Sequence, residues 1–221
     1  MLEAIDNLTR SAVEACVATG AGGHETRYQE ALAHAAFRAL IALDDHRLRP
    51  SEPYDLREHS RIIDYGPRIR PGGARGPQCD VFVWRPKVLW EFADCLPVSE
   101  CVAVEIKTED ADANRGPGRL KWLSYVCPRL GIPSAPRETG GLDYTETESL
   151  LIALRAYREL VGVGRAYALL IGPNSHFKLG LLSDHVVLLD ESLWNMAGSS
   201  GTRYLYAEIE TIWPAAERRM S

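Results

Sequence analysis

Gln78-Cys79-Asp80-Val81-Phe82-Val83-Trp84 and, after a short excursion, Cys101-Val102-Ala103-Val104-Glu105-Ile106-Lys107 decide how this chain is read. Each run has strand length and apolar content, and each carries charge. Side chains of a strand alternate between faces. Glu105 and Lys107 therefore share one face with the small Cys101 and Ala103, while Val102, Val104 and Ile106 line the other. If the two runs pair as neighbours, the Asp80 and Glu105 carboxylates and the Lys107 ammonium converge on a spot the size of a hydrated divalent ion. Such a constellation suits phosphodiester cleavage. A strand pair with one Asp and one Glu-x-Lys also arises where the lysine only pairs with nearby acids at a strand end. Three features favour the chemical reading. Apolar strands lead into each acid, the separation is that of a hairpin with an insertion, and an acid-bearing helix precedes both runs.

That helix is the second of two. Leu2, Ile5, Leu8, Ala12, Val13 and Cys16 follow helical spacing, and Gly20-Ala21-Gly22-Gly23 then stops the helix and supplies a joint. From Glu25 to about Leu43, Glu25, Tyr28, Leu32, Ala36, Ala39 and Leu43 fall on one face. An acid at the head of a buried stripe implies a cation or metal nearby, although an acid in a first helical turn also meets the helix dipole favourably. Glu30 competes with it, with a phase that sets it beside Phe37 and Ile41.

Asp80 with Glu105-Ile106-Lys107 resembles the PD-(D/E)XK nuclease superfamily, whose signature is an acid on one strand and acid-x-Lys on the next. The resemblance covers about residues 24 to 127. It departs from the pattern in having Cys79 rather than proline before Asp80, with Pro77 further back, and Arg119-Leu120-Lys121-Trp122 where such proteins often carry a glutamine. The resemblance implies an α/β, restriction-endonuclease-like three-layer core, a central mixed β-sheet flanked by helices, with an extra N-terminal helix. It implies Asp80, Glu105, Lys107 and Glu25 as the catalytic set. Mg²⁺, or Mn²⁺ in its place, would be held by Asp80, Glu105 and the Ile106 carbonyl, with Glu25 acting through water or on a second ion. The implied activity is that of a metal-dependent endonuclease of restriction or defence type, acting on DNA in preference to RNA and using two copies where both strands are cut. The alternative is an inactive nuclease fold that binds nucleic acid or protein.

The rest of the chain frames this core. Residues 49 to 77, rich in Pro, Arg and Gly, predict one strand near Arg61 to Tyr65, in which Asp64 is the second choice of strand acid, and a loop over 70–77. After Lys107 the spacing predicts a polar loop, then a helix from about Gly118 to Cys127 from which Arg119 and Lys121 project. Thr145-x-x-Glu148 is a capping box opening a helix from Glu146 to Val161, closed by Gly162 and Gly164. Strands follow over Tyr167–Ile171 and around His185–Leu189, with an edge strand over Tyr204–Ile209. The expected organisation is one domain over 1–221, with an N-terminal helix and joint over 1–23, a core over 24–190 and a C-terminal extension over 191–221.

Composition sets outer limits. A chain of 221 residues, 46% apolar, is long enough for one well-buried core. No apolar run approaches membrane-spanning length and the first residues lack a signal-peptide pattern, so a cytoplasmic protein without a membrane partner is expected. Five cysteines without a CxxC pair read as reduced core thiols. The formal net charge of −5 opposes indiscriminate polyanion binding, yet residues 47 to 87 carry nine Lys or Arg against five acids. His24-Glu25 lacks the second histidine of a zincin helix, because position 28 is Tyr, and Gly198-Ser199-Ser200-Gly201 is one residue short of a nucleophile elbow.

Overall fold

The computed structural model describes residues 2–20, 24–43, 79–83, 98–109, 117–132, 145–179, 187–198 and 200–213. In chain order its principal elements are α1 (Leu2–Ala18), α2 (Glu25–Leu43), β1 (Val81–Val83), β2 (Val102–Thr108), α3 (Pro117–Val126), α4 (Glu146–Ala156), β3 (Arg165–Ile171), β4 (Lys178–Leu179), β5 (Val187–Leu188), β6 (Trp194–Met196) and β7 (Arg203–Glu208). Five strands form one mixed sheet in the order β1-β2-β3-β7-β6. β2 and β3 are parallel, and the other pairs in this sheet are antiparallel. Parallel neighbours need a crossover, and α3 and α4 lie in the chain between them.

Every position of β2 is buried, as a strand covered on both faces requires. On one face Val102, Val104 and Ile106 join Val81, Val83, Tyr167 and Leu169 beneath Ile5, Leu8, Val13 and Val17 of α1 and Tyr28, Leu32 and Ala36 of α2. On the other, Cys101, Ala103, Phe82, Ala166, Ala168 and Leu170 pack against Leu123 and Val126 of α3 and the Leu150–Ala156 part of α4. The alternation read from the sequence is therefore the partition between two apolar cores. Cys16, Cys79, Cys101 and Cys127 are buried free thiols.

Local signals explain where the elements end. α1 stops at Thr19, whose hydroxyl donates to the Cys16 carbonyl at 2.6 Å, and at Gly20 with φ +57°. α4 opens on the capping box: Thr145 Oγ1 accepts from Glu148 N at 3.0 Å, and Glu148 Oε2 accepts from Thr145 N at 2.8 Å. After Ala156 the helix widens into one π-helical turn, Tyr157–Val161, which closes at Gly162 with φ +82°. Sequence periodicity predicted an unbroken α-helix here, because a one-residue widening leaves the apolar spacing almost unchanged.

One further strand expectation is met where it is described, and two others need correction. The strand around His185–Leu189 is described only at Val187–Leu188, which pairs with Lys178–Leu179 in a separate two-stranded sheet. β7 is not an edge strand, since it lies between β3 and β6. β6 and β7 fall in the stretch read as a C-terminal extension, and both belong to the main sheet; at three residues β6 is too short to announce itself by alternation. The strand read over Arg61–Tyr65, with Asp64, and the loop over 70–77 lie outside the described residues. No helix among the described residues is long and apolar enough to cross a membrane.

Gly164 lets β3 enter beside β2. A Cβ there would stand 2.3 Å from the Ser99 carbonyl oxygen, 2.9 Å from Leu2 Cδ1 and 3.0 Å from the Cys101 carbonyl oxygen. Two of these atoms are backbone and cannot swing aside. Gly164→Ala is expected to lower the free energy of urea unfolding by about 1–3 kcal/mol, as overpacking does. An unchanged midpoint would show that the 98–101 segment gives way without cost.

Candidate functional site

Asp80 stands immediately before β1, not at the end of a strand leading into it. The β1–β2 register runs Val81↔Val104, Phe82↔Ala103 and Val83↔Val102, and extending it by one residue sets Asp80 opposite Glu105. The pairing is locked from the acid itself, because Asp80 Oδ2 accepts the Ile106 main-chain N–H at 2.8 Å. Its other oxygen, Oδ1, accepts from Gln29 Nε2 of α2 at 2.8 Å. Glu105, 6% exposed, has its Oε1 on the Tyr157 hydroxyl at 2.8 Å. Lys107, also 6% exposed, donates from Nζ to Glu25 Oε1 at 2.8 Å. The four residues expected from sequence are therefore joined in one contact network with Gln29 and Tyr157.

Glu25 is at the head of α2 and half-buried, whereas Glu30 is exposed and makes no contribution to this network. The two candidates thus differ in burial, as their helical phases differ. Glu25 meets a cation, but that cation is Lys107. Its Oε1 also lies 3.5 Å from Gln29 Nε2. Arg119 and Lys121 are within α3.

The electrostatics follow from burial. Asp80 retains some exposed surface, but its carboxyl lies inward. Burial, first, and then the Glu25 charge push its pKa above the carboxylate range, while Lys107 and the Ile106 N–H pull it back. Glu105 is pushed well above that range, by burial first and then by the Asp80 charge, with Lys107 and the Tyr157 hydroxyl opposing. The contact between the two carboxyls raises Glu105 further and lowers Asp80. Burial and then Glu105 in turn raise the Tyr157 phenol well above its usual value.

Among the described residues no group of three or more His, Cys, Asp or Glu side chains is set to hold a metal ion. The donor set nevertheless fits a hard divalent cation. Asp80 and Glu105 supply carboxylate oxygens from adjoining segments, the hard donors such an ion prefers, and burial raises the proton affinity of both; the buried Cys79 thiol lies close by and donates to the Val81 carbonyl at 3.1 Å. With Glu25, Asp80 and Glu105 ionised against Lys107, the network carries a formal charge of −2, which a divalent ion balances and one proton halves.

Gln29 and Tyr157 were missed from the sequence. Both are uncharged, and they lie 51 and 52 positions from the acids they touch. Gln29 had one available signal, its place one helical turn after Glu25 on the same side of α2. Tyr157 lies inside the helix read from Glu146 to Val161, and no sequence signal sets it apart there.

Two outcomes test this electrostatic picture. Tyr157→Phe removes the donor to a buried carboxyl and is expected to cost about 1–3 kcal/mol in urea unfolding. The second concerns pH. A carboxyl whose folded pKa is raised stabilises the fold fully below the unfolded value, about 4.3 for Glu, and loses that contribution as pH rises through the folded value. In EDTA, wild type is expected to lose thermal stability relative to Glu105→Gln as pH increases from about 5 to 8. A difference that stays flat or reverses would show that Glu105 titrates normally. Set against known proteins, the chain matches no family model, no curated protein and no solved structure, so the geometry of these side chains carries the functional reading.

Proposed function

We propose that this chain is a metal-dependent endonuclease that hydrolyses phosphodiester bonds of DNA, built on a restriction-endonuclease-like core and of restriction or defence type. The observation that carries the proposal is the Asp80–Glu105 pair, set opposite each other by extension of the β1–β2 register, with the buried Lys107 two residues on from the buried Glu105 along the same face of β2. A mixed sheet with helices on both faces is compatible with such a core. DNA is favoured as substrate over RNA, a cytoplasmic setting is compatible with the composition, and cutting of both strands calls for two copies of the chain.

In this proposal Asp80, Glu105 and the Ile106 carbonyl hold Mg²⁺ or Mn²⁺, which when bound polarises the phosphate and makes a coordinated water more acidic. The residues do the rest. The Ile106 N–H and Gln29 fix the Asp80 carboxylate from both oxygens. Tyr157 orients Glu105 from the α4 side of the sheet. Lys107 presents an ammonium that orients the attacking water and meets the charge developing on the phosphate oxygens. Glu25 holds that ammonium in place. This assigns Glu25 to the lysine and differs from the expectation that it binds metal through water.

The alternative is a nuclease fold that grips nucleic acid or protein without cutting. Cleavage of supercoiled plasmid, linear duplex, single-stranded DNA and RNA, with Mg²⁺, Mn²⁺ or EDTA, separates the two. Wild type is expected to cut DNA only with metal, and Asp80→Asn and Lys107→Ala are each expected to lose about 10²-fold or more in rate while still binding DNA. Metal-independent binding with no cutting by folded wild type would select the second reading.

A further inference from the structure

We propose that Gln29 is a positioning residue for the cation site: its side-chain amide holds Asp80 in the orientation that receives the ion and keeps Glu25 apart from it. The inference rests on the reading of Asp80 and Glu105 as the cation-holding pair. Gln29 Nε2 lies 2.8 Å from Asp80 Oδ1 and 3.5 Å from Glu25 Oε1, so one NH₂ group faces two carboxylates. Both neighbours are acceptors. The amide must therefore turn its nitrogen, not its oxygen, toward them, and its orientation is fixed by chemistry.

Asp80 Oδ2 is tied to the backbone of β2, which sets the depth of the carboxylate, and the carboxyl also meets Glu105, the second member of the cation-holding pair. Gln29 fixes Oδ1 from the helix side. Each carboxylate oxygen retains a further lone pair, so the two hydrogen bonds orient Asp80 without closing it to a metal. The amide also separates two acids that would otherwise repel. Glu25 raises the proton affinity of Asp80 even with Lys107 at hand, and an uncharged donor between the two softens that repulsion without supplying a positive charge that would exclude the ion. A lysine or arginine at position 29 would occupy the cation's place. An aliphatic residue would fill the space and donate nothing.

The position also couples the site to the fold. Gln29 follows the buried Tyr28 on α2, and Leu32 and Ala36 anchor the same helix over Val104 and Ile106. α2 is thus held to the sheet by apolar contacts that do not involve Gln29. Removing the amide should disturb Asp80 and leave the helix where it is.

The experiment is a Mn²⁺ titration of wild type, Gln29→Leu and Gln29→Met by calorimetry, with thermal unfolding of each in EDTA. The two replacements differ in shape and both lack the donor. Outer-shell hydrogen-bond partners of metal ligands are typically worth 10–100-fold in affinity, and both variants are expected to weaken Mn²⁺ binding by about that factor. The metal-free transitions should stay within about 4 °C of wild type, the shift that ~1 kcal/mol produces at this size. Unchanged Mn²⁺ affinity in both variants would overturn the proposal while leaving the cation site standing. Weaker binding accompanied by a large drop in metal-free stability would assign Gln29 a structural role and overturn it as well. Wild type that takes up no Mn²⁺ would refute the cation site itself, and the proposal with it.

Discussion

Strand β2 has water on neither face, and the remainder of the molecule is arranged around that constraint. A strand covered on both sides must divide its residues between two cores, and here the division falls between Val102, Val104 and Ile106 on the α1–α2 side and Cys101 and Ala103 on the α3–α4 side. Continuing the second series leads to Glu105 and Lys107, which places charge where the alternation demands an apolar face. Burying an ionised carboxylate without partners costs several kcal/mol, so the surroundings must supply them. They come from three separate elements: Asp80 before β1, Tyr157 at the end of α4, and Glu25 on α2.

The pairing chosen is informative. An ion pair retained only for stability would set Lys107 directly on the neighbouring acid, giving each carboxylate a permanent counter-charge. Lys107 instead donates to Glu25, while its charge still lowers the proton affinity of both Asp80 and Glu105. A buried acid pair is rarely a source of stability, and well-packed apolar residues in the same space commonly do better. If a divalent cation binds here as proposed, it competes with protons for the same two carboxylates.

Much of this was legible in the sequence because it depends on local spacing. The period of two in 101–107 assigned the faces of β2, the period of 3.6 from residue 25 put Glu25 and not Glu30 toward the sheet, and Thr145-x-x-Glu148 located the start of α4. What escaped was set by contacts between distant segments. Nothing near Trp194–Met196 indicates that three residues will close the sheet, since their partner Arg203–Leu205 defines them. β7 alternates like an edge strand, and only its pairing on both sides makes it internal. Gln29 and Tyr157 escaped for a related reason. A neutral donor is ordinary in a helix, and it acquires meaning only when a carboxylate some fifty positions away is folded against it.

The two missed residues also explain why the site is asymmetric. Tyr157 donates a hydroxyl to Glu105, and Gln29 donates an amide to Asp80, so each acid has one neutral donor from opposite layers of the sandwich. Asp80 also accepts a backbone N–H, from Ile106. That extra donor favours its ionised form, and the contact between the acids lowers Asp80 while raising Glu105, so two carboxyls that face each other across the extended β1–β2 register are set apart in acidity.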